Sequence, residues 1–335
     1  MNLLLHLTIT LSLIPNCWTT QTSGTTGRLR GVSAVSEKIA WASGAQSTVL
    51  RTTDGGATWK SLVVASEPLD FRDIDAIDAN TAYVLSIGNG PASRIYKTVD
   101  GGATWTLQFK NEDPKVFLDA ISFWDKDHGI VFGDSVDRQF YILMTDNGGR
   151  EWTRVPPDRL PPALENEGAF AASGTNIAVV GKTHAWIATG GAAKSRVLFT
   201  ADRGKTWTTY DTPLKAGSSA GSFSIAFRDR ANGVIVGGDY RKETEALDNL
   251  AITADGGNTW SLVKGLSGYR SVVAYVPRNL KKIVAIGPSG TDYSEDNGRT
   301  WKTLSGGGYD SVSFVRDKSL AWATGAEGRI GRCEF

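Results

Sequence analysis

One eight-residue phrase recurs along this chain and constrains its fold more than any other feature. Thr52-Thr53-Asp54-Gly55-Gly56-Ala57-Thr58-Trp59 returns as Thr98 to Trp105, Thr200 to Trp207, Thr253 to Trp260 and Ser294 to Trp301. A decayed sixth copy runs from Thr145 to Trp152, with Asn147 in the Asp position and Glu151 in place of Thr. The shared pattern is Ser/Thr-x-Asp-x-Gly-x-Thr-Trp. Successive box tryptophans lie 46, 47, 55, 53 and 41 residues apart. A period of about 40 to 50 residues is that of one blade in a ring of small sheets.

Two further elements run in step with the box. A short apolar run ending in Gly occurs seven times, as in Ile39 to Gly44, Ala82 to Gly88, Gly129 to Gly133, Ala185 to Gly190 and Ala321 to Gly325. An opening element precedes it, as in Leu29-Arg30-Gly31-Val32, Phe71-Arg72-Asp73-Ile74, Phe117-Leu118-Asp119-Ala120 and Tyr269-Arg270-Ser271-Val272. Its fourth version falls near Phe170 and is weaker. Runs of β-branched and aromatic residues between Gly/Asp turns are strand signals, and no helical periodicity competes with them. Each unit therefore reads as strand a, strand b ending in Gly, strand c, the box turn and strand d. Seven such units make an all-β, seven-bladed propeller of four-stranded blades spanning residues 17–335. The seventh unit stops at Phe335 without a box or a strand d, which would leave an open edge. Cys17-Trp18-Thr19-Thr20-Gln21 resembles a strand d, so the ring is expected to close by pairing the N- and C-terminal strands.

The N-terminus carries a separate signal. Leu3 to Ile14 is apolar and uncharged, too short to span a bilayer and of h-region length. Residues 1–16 are therefore expected to be a signal peptide, with export to a bacterial periplasm or beyond the cell. Export would place Cys17 and Cys333, both on the closing strands, in an oxidising compartment. Two readings stand: a disulfide between them, or processing beyond Cys17 that leaves Cys333 as a buried thiol.

The box chemistry is that of a turn. Its carboxylate can accept backbone N–H groups, its Gly allows positive φ, and its Trp buries a large face between sheets. Asp54, Asp100, Asn147, Asp202, Asp255 and Asp296 are accordingly expected to be structural. One carboxylate per box does not make a calcium loop, which gathers several ligands. Three histidines and two scattered cysteines give no metal centre, and no cofactor is expected. With 36 Lys+Arg against 35 Asp+Glu the chain lacks the basic excess of a nucleic-acid binder.

These boxes are the Asp-box, or BNR, repeat of sialidases and several other propeller families. The arrangement most closely resembles the photosystem II stability/assembly factor-like family, through Leu29 to Val32, Trp41-Ala42-Ser43-Gly44 and Leu50 to Gly56. That resemblance implies an exported, non-catalytic, monomeric propeller that binds a protein partner, in a thylakoid lumen where the source is photosynthetic. The alternative is a sialidase-like or other glycoside hydrolase, or a propeller binding a carbohydrate or small ligand. The sialidase Phe/Tyr-Arg-x-Pro motif has only Thr153-Arg154-Val155-Pro156 as a near match, in mid-chain. A glycosidase would otherwise need facing carboxylates; Asp73, Asp119 and Asp310, on strand a, are the candidates.

The binding expectation falls on arginines. Arg30, Arg72 and Arg270 are expected to share one position at the start of strand a. The b–c segments add Arg94, Arg138, Lys194, Arg196, Arg241 and Lys242 toward the same face, and the box face offers fewer cations. A basic face made by Arg30, Arg72, Arg270, Arg94, Arg196 and Arg241 would dock an acidic protein surface, as the arginine-rich patch of the resembled family suggests. The competing expectation is rim charges paired with carboxylates such as Asp73 and Asp239.

Overall fold

The computed structural model describes residues 17–304 and 307–335, so the leader expected at residues 1–16 lies outside the described residues. Seven four-stranded antiparallel sheets follow one another around an axis. Blade one is built from Leu29–Ala34, Ala40–Gly44, Thr48–Thr52 and Lys60–Ser61, and the same a–b–c–d order recurs through blade six. In blade seven Thr19–Gln21 supplies strand d, pairing with Ile330–Glu334 through Thr19↔Arg332 and Gln21↔Ile330. A disulfide between Cys17 and Cys333, 316 residues apart in sequence, lies beside this pairing. Strand a of blade four is Ile177–Val180, beyond the Phe170 segment that the sequence pattern suggested.

Strand b is the most buried element because neighbouring blades cover both faces of its sheet. Ala40–Gly44, Ile283–Gly287 and Leu320–Thr324 are buried at every position, which explains their unbroken apolar sequence. The box tryptophans wedge between blades: Trp105 of blade two meets Trp41 of blade one edge-on. Toward the axis, strand a must satisfy N–H groups that no strand pairs. Serine does this across blade boundaries, Ser33 accepting from Ala76 N, Ser313 from Ala34 N and Ser224 from Val273 N, each at 3.0 Å. In blade two the same task falls to carboxyls, Asp73 accepting from Ile121 N and Asp75 from Phe123 N. Burial pushes the Asp73 carboxyl well above the usual range and Asp75 up to about 6.

The box turns repeat one hydrogen-bond set. Asp100 Oδ1 accepts from Thr104 N at 2.9 Å and from the Thr98 hydroxyl at 2.8 Å, while Oδ2 accepts from the Thr104 hydroxyl at 2.6 Å. Thr98 Oγ1 in turn accepts from Gly102 N, at a glycine with φ 87°. Asp54, Asp202, Asp255 and Asp296 make the same bonds. Asn147 keeps the Glu151 N–H and Thr145 contacts; the decayed copy lacks the hydroxyl for the third. The threonine hydroxyl and then its amide hold Asp54, Asp100 and Asp296 down at about 2.

Asp100→Ala should therefore lower Tm by about 2–4 °C at neutral pH. A carboxylate depressed in the folded state contributes fully above the ordinary carboxylate range and loses that contribution as pH falls toward 2. Thermal scans at pH 7 and 5 should show the same gap between the two proteins, closing near pH 2. A gap independent of pH would exclude the carboxylate as its source.

Candidate functional site

The largest departure from the repeat occupies the ring's axis. Trp152 and Trp207 are 55 residues apart, the longest box interval, and the extra chain lies before strand a of blade four. Glu167 anchors it. This buried carboxylate accepts from Arg196 at both oxygens, from the Thr189 hydroxyl at 2.7 Å and from Leu164 N at 2.7 Å. Phe170 then stacks on Phe223 of blade five, centroids 3.9 Å apart.

From there the chain crosses the channel and bonds to blade after blade. Arg72 of blade two donates to Ala171 O at 3.0 Å, and Arg30 of blade one donates to Ala172 O at 3.3 Å. The Ser173 hydroxyl donates to Ser271 O of blade six, and Ser311 of blade seven donates to Ser173 O. Gly174 adopts φ 74° directly against Asp73; a Cβ there would stand 2.1 Å from Oδ1. Thr175 meets Ser224 at 2.7 Å. Residues 170–175 are thus a plug, and the repeat supplies its sockets.

Sheet register explains where each expected arginine goes. Blades one, two, three and five carry a β-bulge at the mouth of strand a, at Arg30, Arg72, Asp119 and Phe223. A bulge turns the extra residue out of the ladder, here toward the channel mouth. Arg270 is not in this set. Its N–H bonds to Gly237 O of the preceding blade, as that of Leu29 bonds to Gly325 O, so Arg270 stands in register with Leu29. A one-residue slip exchanges inside for outside. Arg270 is accordingly 0% exposed, ion-paired with Asp292 at 2.7 Å and bonded to Ser267 and Ser289.

The basic face expected from the sequence is not formed. Arg72 pairs with Asp70, Arg94 with Glu67, Arg196 with Glu167 and Arg28 with Asp310. Lys194 and Lys242 pair with Asp211 and Glu245, and Arg138 reaches Ala163 O. Of the six arginines expected to bind, only Arg241 stays exposed without a carboxylate, over the Tyr240 ring. Long intervals between positions gave no sign of these pairings. The plug had one visible signal, the 55-residue interval.

Above the plug lies a cavity of about 800 Å³, opening on the face of the b–c and d–a loops. Its lining holds Arg28, Arg30 and Arg72 together with Phe223, Tyr240 and Tyr269. In the same lining Asp119 and Asp134 hydrogen-bond to one another. Burial, then the neighbouring carboxylate, pushes Asp119 well above the usual range, and burial brings Asp134 up to about 6. Among the described residues no His/Cys/Asp/Glu group is arranged to hold a metal ion, and no helix is long and apolar enough to cross a membrane.

Two arginine variants should separate these roles. Arg270→Ala strands Asp292 in the core, at a cost of about 3–5 kcal/mol, and should lower Tm markedly. The double change Arg30→Ala and Arg72→Ala removes the two arginine donors to the plug. It should speed amide exchange in residues 171–175 by about tenfold or more while leaving strand b protected. Equal protection of the plug in the double variant would show that the serine contacts suffice.

No family model matches the chain, and neither does any curated protein. Solved structures do match. YCF48 bound to D1 peptide is similar over 96% of this chain and 98% of its own, with TM-score 0.69 and 17% identity. YCF48 from Cyanidioschyzon merolae is similar over 95% and 99%, with TM-score 0.68 and 17% identity. The Niastella koreensis GH74 enzyme is similar over 89% and 56%, with TM-score 0.49 and 15% identity. At such identities the YCF48 likeness is one of fold.

Proposed function

We propose that this protein is a non-catalytic, exported propeller that holds a segment of a protein partner in its blind cavity, in the manner of an assembly factor. The observation that carries this reading is the plug. It gives the channel mouth a hydrogen-bonded floor and leaves about 800 Å³ above it, room for several side chains. Aromatic faces together with arginines suit a peptide, whose backbone offers acceptors and whose side chains offer apolar surface. That YCF48 shares the fold and is described as bound to a D1 peptide supports the same reading.

Glycoside hydrolysis fits this cavity less well. That chemistry places two carboxyl groups across the scissile bond, about 5 to 9 Å apart. Here Asp119 and Asp134 are spent on each other.

Ser218 lines the cavity at an exposed position, so Ser218→Trp should fill the mouth without straining the core. Cross-linked capture of the partner from the exported fraction should fall at least about tenfold, with Tm unchanged. Undiminished capture by the folded variant, or turnover of aryl glycosides by the intact protein, would overturn the proposal.

A further inference from the structure

The uncommitted positive charge lies on the opposite face, among the box turns. On that face each of blades one to six presents two segments, its a–b turn and its box. In blades four to six these are residues 181–183, 200–207, 228–232, 253–260, 276–282 and 294–301, with nine Lys/Arg against five carboxylates. In blades one to three the equivalent residues 35–39, 52–59, 77–81, 98–105, 124–128 and 145–152 hold three Lys/Arg against eight carboxylates. The face is electrically split down the middle, while the whole chain is near neutral.

Most of the basic half is exposed and unpaired. Lys182, Lys205, Arg230, Arg278, Lys281 and Arg299 are all exposed, and none has a carboxylate within 4.0 Å among the described residues. They belong to one continuous surface. Arg203 Nε donates to Lys182 O at 2.8 Å, tying the two turns of blade four. Arg230 of blade five approaches Gly181 of blade four. Arg228 bonds to Asn297, joining blade five to blade six. The local carboxylates neutralise it only in part: Asp202, Asp255 and Asp296 direct their oxygens into their own turns and Asp229 and Glu295 pair with Arg228 and Lys302, which leaves the six named cations without a contacting counter-charge. Leu280 stands 46% exposed at the tip of the blade-six turn, between Arg278 and Lys281.

We propose that the box face of blades four to six docks an acidic segment of a protein partner. This rests on the reading of the chain as a protein-binding propeller and adds a second surface to it. Opposite potentials steer encounter and fix orientation, and exposed charges act over a Debye length of about 8 Å at physiological salt. The split favours a protein segment over an anionic bilayer. A flat bilayer would meet the whole face, and the acidic half over blades one to three would be repelled. An acidic segment can lie on the basic half alone, with Leu280 offering it one apolar contact.

The test is fluorescence anisotropy with a short fluorescein-labelled peptide in which glutamate alternates with serine, alongside sedimentation with anionic phosphatidylglycerol vesicles. The intact protein should bind the peptide at low salt and lose it as salt rises. The triple variant K182E/R230E/K281E, at unchanged Tm, should bind at least about tenfold more weakly. The variant K110E/K264E, away from both the box turns and the cavity, should bind as the parent does. Equal binding by the parent and the triple variant overturns the proposal, and so does tighter association with the vesicles than with the peptide. A parent that captures its partner through the cavity yet ignores the peptide overturns this surface alone. Glycoside turnover overturns the reading beneath it.

Discussion

Closure of the ring is the constraint on which everything else here depends. Each sheet is covered on both faces only because it has a neighbour on both sides, and a ring broken at one place would uncover two sheets at once. Residues Thr19–Gln21 prevent this by completing the last blade, and the Cys17–Cys333 bond covalently joins the two ends of the chain beside that seam. Cross-linking positions this far apart removes a large share of the unfolded chain's freedom, on the order of 5–6 kcal/mol in the loop-entropy picture.

A closed ring creates a second demand at its axis. Strand a of every blade turns a row of backbone N–H groups toward the channel, and these need acceptors in place of a neighbouring strand. Serine hydroxyls meet the need at several blade boundaries, carboxyls on strand a of blade two, and at the mouth the blade-four plug crosses to meet it directly. Arg30 and Arg72 follow from this logic. Bulges aim them at the axis, and plug carbonyls are what they find there. They shape the binding cavity by holding its floor.

The repeat made the architecture legible. Seven strand-b runs, six boxes and an orphan strand d near Cys17 specified blade number, strand order and the manner of closure without any three-dimensional information. One failure was local, where the start of strand a was aligned by residue type. Placing Arg270 with Arg30 ignored the bulges, which add a residue to strand a in blades one, two, three and five. The slip moved a core residue onto the surface. The salt bridges were invisible for another reason. Arg28 and Asp310 are 282 residues apart, and only the closed ring brings them together. The plug was announced by interval length, yet its path over five other blades was set by contacts that no pattern within one blade records.

The two faces divide the labour by how each is stabilised. On the loop face, long connections of varied sequence let most charges find a partner, so charge is largely consumed in holding the cavity's shape. On the box face the turns are short, repeated and internally saturated. Their carboxylates bond to their own threonines, and residues at the variable positions between them are left without local partners. A repeated, self-sufficient turn therefore makes an outward charge pattern that packing does not dictate. That freedom allows one half of the ring to become basic and the other acidic while the seven-fold scaffold stays the same. The cavity can then select a partner's segment by shape, and the split face can set the direction from which that partner approaches.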